Sequence, residues 1–453
     1  MSFPRYPAYK DSGINWIGEI PNHWSVIPLA RVASQPGTLF IDGDWVESKD
    51  LADEGVRYIT TGNIGQGKYK EQGSGYVSHE TFKELQCTEV FPGDVLISRL
   101  NLPIGRACVV PDLGERIITS VDNVITRPDD KYLPSYLAYM LSSASHFANM
   151  EVLARGTTMQ RISRSVLGHV RFALPDLEEQ QVIASFLDHE TTKIDALIAE
   201  QQRLIELLQE KRQAVISHAV TKGLNPDAPM KDSGVEWLGE VPEHWEIAQL
   251  NQLISKITNG YVGPTRDILQ DEGIRYLQSL HIKNNKILFE TPYYVSEEWS
   301  AAKEKSILNE GDVLIVQTGD IGQSAVVTKE FEGCNCHALI VVSPRSNVLT
   351  GAWLSWVLNS TFGKETLLSI QTGALHPHLN CGNVKYISIP APPLGEQTAI
   401  CDYIATKNLE ADELIDASCK SIELMRERRS ALISAAVTGQ IDVRGLVPEA
   451  SAA

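Results

Sequence analysis

The sequence has no long hydrophobic run and few cysteines. No stretch reaches the roughly 18 consecutive apolar residues that a membrane-spanning helix needs. The opening MSFPRYPAYKDSG has no basic region followed by an apolar run, so we expect no signal peptide. The seven cysteines are odd in number and lack the spacing of a disulfide framework, which predicts a reducing compartment. We therefore expect a cytoplasmic protein with no membrane partner.

Positive charge is also scarce. The chain has 40 Lys and Arg against 57 Asp and Glu, and its formal net charge is −17. Proteins that bind nucleic acid over a large surface usually neutralise phosphates with many lysines and arginines. Any contact with DNA should therefore be local, and a separate basic subunit would have to supply much of the contact with phosphates.

Recognisable catalytic motifs are missing as well. Residues 62–69 (GNIGQGKY) come within one residue of a P-loop, but Tyr69 stands where a Ser or Thr must bind magnesium, which favours a strand-to-turn loop. The CNCH stretch at 334–337 lacks a second chelating pair, so structural thiols near a strand are favoured over zinc. The PDDK stretch at 128–131 is better explained by a turn than by a nuclease motif. We predict no catalytic residue, no metal site and no cofactor bound by this chain.

Two stretches of the sequence occur twice. Residues 10–24 (KDSGINWIGEIPNHW) return at 231–245 as KDSGVEWLGEVPEHW. Residues 175–221 return at 392–438, where IELLQEKRQAVISHAVT becomes IELMRERRSALISAAVT. A repeat of this length decides the organisation of the chain, because it makes the protein one module written twice.

The second repeated stretch predicts a long amphipathic helix. Its apolar residues recur at spacings of 3, 4 and 7 with charges between them: Ile183, Leu187, Ile194, Leu197, Leu204, Leu208 and Val215. About 45 helical residues span on the order of 65 Å, more than the interior of one ordinary domain. Two copies of one apolar seam pack most economically against each other, as an antiparallel coiled-coil pair. A core helix inside each domain is the alternative.

The parts between the repeats, about 25–174 and 246–390, are less similar. Short β-branched runs such as DVLIS, ACVVP, RIITS and NVITRP predict strands. Residues 134–154 predict a helix that is mirrored at 350–370. Each module is therefore expected to be a mixed α and β domain of about 145 residues. The predicted fold class is α+β, with two pseudo-symmetric domains joined by two long antiparallel helices.

The residues resemble a known family. The KDSGxxWxGExPxHW segments, the GDVLIS pattern, the GTTMQRIS segment at 156–163 and the closing helices look like the specificity (S) subunit of bacterial type I restriction-modification systems, over nearly the whole chain. The resemblance implies two target-recognition domains that each read one half of a bipartite, asymmetric site in double-stranded DNA, and helices that act as a spacer. It also implies two modification subunits that methylate adenine with S-adenosylmethionine, and two restriction subunits, using ATP and Mg, that can join them.

The resemblance divides the chain into seven parts. These are a lead-in segment (1–24), target-recognition domain 1 (25–174), spacer helix 1 (175–222), a linker with the repeated lead-in (223–245), target-recognition domain 2 (246–390), spacer helix 2 (391–442) and a flexible tail (443–453).

Polar residues in equivalent loops of the two domains are the candidates for contact with DNA. In the first domain they are Arg99, Asn101, Arg106, Arg155, Thr157, Gln160, Arg161 and Arg164. In the second domain they are Gln317, Thr318, Gln323, Gln371, His376 and His378. Arginine and asparagine side chains can read guanine and adenine edges, and two different half-sites require different readers. Each residue could equally be a solvated loop residue or contact a phosphate.

Charged residues kept in both helices are candidates for binding the modification subunits. They are Glu206, Glu210 and Arg212, with their copies Glu423, Glu427 and Arg429, although solvated i,i+4 pairs would also explain them. The tryptophans kept in both lead-in segments are expected to pack against the scaffold rather than to stack on bases. Two other functions stay open, namely a coiled-coil scaffold that does not bind DNA and a free-standing enzyme.

Overall fold

The computed structural model of the chain describes residues 3–73, 75–156, 160–373 and 376–446. The protein divides into two compact units, Met1–Gln201 with Lys420–Ala453, and Gln202–Cys419. The division falls within the two longest helices, so each unit contains one mixed α and β domain and a part of each long helix.

The two predicted long helices are present. They span Leu177–Lys222 and Leu394–Val437, so the second helix ends before the predicted residue 442. A glycine with a positive φ follows each helix, Gly223 with φ 73° and Gly439 with φ 73°, and this left-handed conformation ends a helix at little steric cost. After Gly439 the chain turns back, and the Asp442 N–H donates to the carbonyl of Pro4 at 2.8 Å.

The described residues of the first unit form two four-stranded sheets and two short ribbons. The first sheet has the strand order Ile117–Thr119, Val56–Ile59, Gly75–Val77 and Leu51–Ala52, with its first pair parallel. The second is antiparallel, in the order Leu39–Asp42, Asn123–Arg127, Val95–Ser98 and Ala107–Val109. Tyr9–Asp11 pairs with Glu19–Pro21, and Ser25–Pro28 with Arg171–Leu174. The four strand-like runs DVLIS, ACVVP, RIITS and NVITRP are therefore confirmed as strands.

Over its described residues the second unit repeats the antiparallel sheet, has one strand fewer in the other sheet and has one more ribbon. Its antiparallel sheet runs Ile254–Asn259, Leu339–Pro344, Val313–Val316 and Ser324–Val326. A three-stranded sheet contains Tyr294–Val295, Ile274–Leu277 and Asn335–Cys336. The ribbons are Met230–Asp232 with Glu240–Pro242, Glu246–Gln249 with Ser388–Ala391, and Ile282–Lys283 with Lys286–Ile287. The duplication read in the sequence is thus a duplication of topology.

Short helices complete each unit. In the first they span His79–Glu84, Pro134–Met140, Ala144–Leu153 and Arg164–His169, with 3₁₀ turns at Leu29–Ala33, Ser48–Asp50 and Thr61–Asn63. In the second they span Leu250–Leu253, Glu297–Ala301, Gly351–Asn359, Thr361–Ser369 and Cys381–Val384, with 3₁₀ turns at Ser279–His281, Glu304–Ser306 and Lys329–Phe331.

The single helices predicted at 134–154 and 350–370 are wrong in one respect, because each is broken in two. Ser143 caps the second helix of the first pair, its hydroxyl accepting from the His146 N–H, and Ser360 does the same for Gly363. A serine that bonds to the main chain in this way favours a new helix start over continuation.

The repeated His-Trp pair holds the start of each long helix. In the first unit Glu179 accepts from Trp24 Nε1 at 3.1 Å and from the Tyr6 hydroxyl at 2.7 Å, and His23 Nε2 lies 2.6 Å from it. Trp24 has no exposed surface, and the Tyr6 phenol is nearly as buried. Burial, together with the Glu179 carboxylate, raises the pKa of Tyr6, which keeps this phenol protonated as a donor.

The second unit builds the same contact with fewer bonds. Glu396 accepts from Trp245 Nε1 at 3.1 Å, and His244 Nε2 lies 2.8 Å from its other oxygen. Trp245 is fully buried, so the core role predicted for the paired tryptophans is confirmed for Trp24 and Trp245.

The same prediction is wrong for Trp237, which is 49% exposed and has a φ of 62°. Its counterpart Trp16 packs edge-on against Phe172 and His146, with ring centroids 5.4 and 6.4 Å apart. The sequence places Ile389 and Gly363 at the matching positions of the second unit, so Trp237 has no aromatic partners there.

A glutamine next to each of these glutamates joins the long helix to its domain. Gln180 accepts from the Leu133 N–H and donates to the carbonyls of Lys131 and Pro175. Gln397 accepts from the Thr350 N–H and donates to the carbonyls of Val348 and Pro392. Both amides are buried, which gives a structural reason why the Glu-Gln pair is kept in both copies.

Candidate nucleic-acid interface

Two segments of the first domain that are far apart in the sequence lie side by side in the structure. The Ile162 N–H donates to the carbonyl of Arg99 at 3.1 Å, and the Asn101 N–H to the carbonyl of Gln160 at 3.3 Å. Arg155 and Arg161 exchange two main-chain hydrogen bonds, at 3.0 and 2.9 Å. The main chain around residues 99–101 therefore lies next to residues 160–162, which in turn pair with Arg155.

The second unit brings its two candidate segments together in the same manner. The Leu379 N–H donates to the carbonyl of Gln317 at 3.0 Å, which matches the contact between Ile162 and Arg99. Thr372 and His378 exchange main-chain hydrogen bonds at 3.0 and 2.9 Å, which matches the pair Arg155 and Arg161. Equivalent loops are thus presented on equivalent frames, with different side chains.

Two of the arginine candidates are buried and used within the protein. Arg99 is 5% exposed, donates to the carbonyl of Ile162 at 3.2 Å and pairs with Asp42 at 3.1 Å. Arg106 is 9% exposed and donates to five main-chain carbonyls, at 2.8 to 3.2 Å. Burial lowers the pKa of both guanidinium groups. In this arrangement the two side chains hold the loops that carry the other candidates and do not face solvent.

The other first-domain candidates are more accessible. Asn101 and Arg155 are exposed, and Asn101 has a φ of 61°, a left-handed conformation that asparagine tolerates better than most residues. Arg161 pairs with Asp122 at 2.8 Å and Arg164 with Asp42 at 3.1 Å, with both arginine side chains nearly half exposed. Gln160 is half-buried, and Thr157 lies outside the described residues.

In the second unit a concave surface collects most of the candidates. A cavity of about 820 Å³ is lined by Thr318, Gln323, Gln371 and His376, with Asp320 and Lys364 beside them. Gln317 is half-buried next to this cavity in the chain. His378 is exposed, and its ring bonds to Thr372 and to the carbonyl of His376.

A lysine from each domain binds an aspartate on a long helix, a contact that is not among the predicted sites. Lys68 Nζ lies 2.6 Å from Asp195 Oδ2, and Arg429 Nε lies 2.9 Å from Asp195 Oδ1. Partial burial alone would raise the pKa of Asp195, but Lys68 and Arg429 outweigh it and lower that pKa. The loop at 62–69 that resembles a P-loop therefore anchors the first domain to the helices.

The second unit has the matching cluster. Asp412 accepts from Arg212, and Lys286 Nζ lies 3.4 Å from it. Asp195 on the first helix pairs with Arg429 on the second, and Arg212, later on the first helix, pairs with Asp412, earlier on the second. This is the order that antiparallel helices require. The repetition of Asp195 at Asp412, and of Lys68 at Lys286, was the available signal for this contact.

The candidates for subunit binding fall into two groups. Glu206, Glu210, Glu423 and Glu427 are exposed on the long helices, and Glu206 forms an i,i+3 pair with Arg203 at 2.9 Å. Arg212 and Arg429 are partly buried and bond to the aspartates described above. Contact between the helices is sufficient to explain why these two arginines are kept.

The part of the chain that the structure describes contains no group of three or more His, Cys, Asp or Glu that could hold a metal ion. Cys334 and Cys336 are buried, and burial raises the pKa of these thiols to about 11 and about 12, which fits the structural role expected for them. Within the described ranges, none of the helices is both long enough and apolar enough to cross a membrane.

Comparison with known proteins identifies the family. The sequence matches the model of the Type I restriction modification DNA specificity domain twice, over residues 34–208 and 242–422. It is 22% identical over 450 residues to the type I restriction enzyme EcoBI specificity subunit of Escherichia coli, covering 95% of this chain and 89% of that protein.

Solved structures show the same fold. The chain resembles one from a study of complex assembly and conformational transition of the type I R-M system, with a TM-score of 0.70, 17% identity and coverage of 92% of this chain and 98% of that one. It also resembles the HsdS subunit of Thermoanaerobacter tengcongensis, with a TM-score of 0.52, 18% identity and coverage of 93% and 98%. The family match spans well over half of the sequence, so the chain belongs to the family of type I restriction modification DNA specificity domain proteins.

Proposed function

We propose that the chain is the non-catalytic specificity subunit of a type I restriction-modification complex, and that each domain reads one half of a bipartite, asymmetric DNA site. One observation carries this proposal. In both units, two segments distant in sequence meet on the same main-chain frame, while the side chains on that frame differ between the units. A constant frame with different polar side chains is what reading two different half-sites requires.

The residues proposed to contact DNA are the sequence candidates other than the buried Arg99 and Arg106. They are Asn101, Arg155, Thr157, Gln160, Arg161 and Arg164 in the first domain, and Gln317, Thr318, Gln323, Gln371, His376 and His378 in the second. Each good bidentate pair with a base edge is worth about 1–3 kcal/mol of discrimination. Arg99 and Arg106 are proposed to position the loops, since their N–H groups donate to carbonyls within the domain.

The chemistry is proposed to lie in partner subunits. Two modification subunits would bring S-adenosylmethionine, and two restriction subunits with ATP and Mg can join them.

Docking through the exposed glutamates of the long helices is testable with the double variant Glu206→Lys and Glu423→Lys, because charge reversal should weaken assembly with the modification subunit. Assembly that survives both reversals would rule out these glutamates as docking residues.

The helices are proposed to set the gap between the two half-sites. Half-sites read by a pseudo-symmetric protein are typically separated by about one turn of DNA, roughly 34 Å. Inserting the same number of residues into both helices should lengthen the unspecified gap in the recognised motif. A gap that stays constant would refute this role of the helices.

The experiment that tests the whole proposal is long-read sequencing of DNA from cells that express this chain with its modification subunit. The expected result is N6-methyladenine at one bipartite motif with a fixed gap. Replacing residues 25–174 with the same region of another family member should then change only one half of that motif. A soluble complex that gives no motif-specific methylation would refute the proposal and favour a scaffold without a DNA role.

A further inference from the structure

A lysine-bearing hairpin projects from the second domain towards the long helices of its unit. Ile282–Lys283 pairs with Lys286–Ile287, and the two-residue turn between them is Asn284-Asn285. These asparagines have φ values of 50° and 62°, the left-handed pair that a type I′ hairpin turn needs. The Asn285 side chain bonds to Ser355 and, at 3.0 Å, to Asn359, so the hairpin tip is fixed to the domain.

The hairpin places two like charges side by side. Lys283 and Lys286 are directly opposite each other across the ribbon, so their side chains lie on the same face, an arrangement that is destabilising without an anion. Asp412 lies 3.4 Å from Lys286 and also accepts from Arg212. Among the described residues Lys283 makes no ion pair, so one positive charge of the tip stays uncompensated.

A third lysine faces the same space. A cavity of about 540 Å³ is lined by Lys283, Lys286 and Lys364, together with Arg212 and Asp412. Lys364 and Gln323 also line the 820 Å³ cavity that collects the proposed base-reading residues. The two cavities therefore adjoin each other, and together four cationic side chains line them against two acidic ones, Asp412 and Asp320, on a chain whose net charge is −17.

The first unit provides an internal comparison. Its hairpin is closed by the pair Ile64 and Tyr69, and the Gly65 N–H donates to the carbonyl of Lys68 at 2.9 Å. Lys68 occupies the place of Lys286 and binds Asp195, but Gly65 stands where the second unit has Lys283. Phe147 stands at the position that matches Lys364, counted from the equivalent helix caps Ser143 and Ser360. Both additional lysines are thus specific to the second domain.

We propose that Lys283 and Lys364 bind a phosphodiester of the DNA backbone beside the half-site that the second domain reads. This inference rests on the proposed function and adds to it a contact that positions the duplex without reading its sequence. Lys286 adds a further positive charge to the same cavity, and it also anchors the hairpin to Asp412.

The test measures binding of the complex with the modification subunit to duplex DNA, with and without the recognised motif, over a range of salt concentrations. The variants are Lys283→Gln and Lys364→Gln, and the matched control is Lys329→Gln, an exposed lysine of the same unit that lines neither cavity. Loss of one phosphate contact makes the dependence of log K on log salt shallower by about 0.9. We expect that change for each variant, an equal fold-loss of affinity on cognate and non-cognate duplexes, and an unchanged methylation motif.

A second arm identifies the phosphate. The phosphates of the duplex are replaced one at a time by a neutral methylphosphonate. At one or two positions this replacement should weaken binding of the unmodified protein but cause no further loss of affinity in Lys283→Gln. Salt slopes that match the control variant, or a changed motif, would overturn the inference while leaving the proposed function intact. Weaker assembly with the modification subunit at an unchanged salt slope would also overturn it, by assigning the lysines to a protein contact. If the unmodified complex fails to bind its duplex specifically, the proposed function fails as well.

Discussion

The two glutamates at the starts of the long helices provide a prediction with its control inside the same chain. Replacing Glu179 with Ala leaves the Trp24 indole and the Tyr6 hydroxyl as buried donors without an acceptor, since all three side chains are almost fully buried. Each unsatisfied buried donor costs about 1–3 kcal/mol. The expected loss at this site is therefore about 2–6 kcal/mol, with little added by the half-exposed His23.

The matched variant at Glu396 should cost less. Among the residues that the structure describes, only the Trp245 indole is a buried donor to Glu396. The Glu396 side chain is also 29% exposed against 6% for Glu179, so water can replace the lost oxygen more easily. We expect a loss of about 1–3 kcal/mol at most. A glutamine at either position should fall between alanine and the natural residue, because its amide oxygen can still accept from the donors that bond to Oε1, while its NH₂ group replaces the oxygen that faces the histidine.

Hydrogen exchange measured by mass spectrometry can report the two sites separately, on peptides that cover residues 19–28 and 240–249. Since 1.4 kcal/mol is a factor of ten in an opening equilibrium, Glu179→Ala should speed exchange in the first peptide at least tenfold. Glu396→Ala should speed exchange in the second peptide by a smaller factor. An effect of Glu396→Ala that equals or exceeds that of Glu179→Ala would refute the argument from buried donors.

Three further predictions concern stability. Gln180→Ala and Gln397→Ala each remove three hydrogen bonds, so we expect each to lower the free energy of unfolding by about 2–4 kcal/mol, and by similar amounts, in chemical denaturation. Lys68 and Arg429 lower the pKa of Asp195, so its contribution is present above about pH 4 and lost as the pH falls further, and Asp195→Asn should flatten that part of a pH–stability curve. Burial lowers the pKa of His146 to about 4, so this residue makes stability fall as the pH drops from about 6.5 to about 4, and His146→Gln should weaken that fall while leaving the part that comes from His281 and His337, whose pKa values burial also lowers.

The sequence predicted the parts of this fold that depend on periodicity and repetition. The long helices, the four strands of the first domain and the duplicated frame all follow from local patterns, which the chain writes twice. The break at Ser143 was missed, because a serine inside an apolar helical pattern has the same letters whether it caps a new helix or faces solvent.

The candidate site was harder to predict because burial is not a local property. Arg106 follows a glycine in a polar loop, which is typical of an exposed reader, yet it fills the loop and donates to five carbonyls. Trp237 has the same neighbours in sequence as Trp16, but its exposure depends on residues 126 and 152 positions away, at Gly363 and Ile389. Burial and exposure of this kind depend on residues that are distant in the sequence, and a single sequence does not show which of them come together.

Comparing the two copies separates the residues that hold the helices and loops in place from the loop residues that differ. Asp195 and Asp412 each bind one arginine from the other long helix and one lysine from a domain loop, although the loops around Lys68 and Lys286 share almost no other residue. Partly exposed ion pairs of this kind add little stability, about 1 kcal/mol or less. Their retention in both copies is therefore better explained by geometry, since a carboxylate that must meet two cations at once fixes the register of the helices and the place of each domain loop on them.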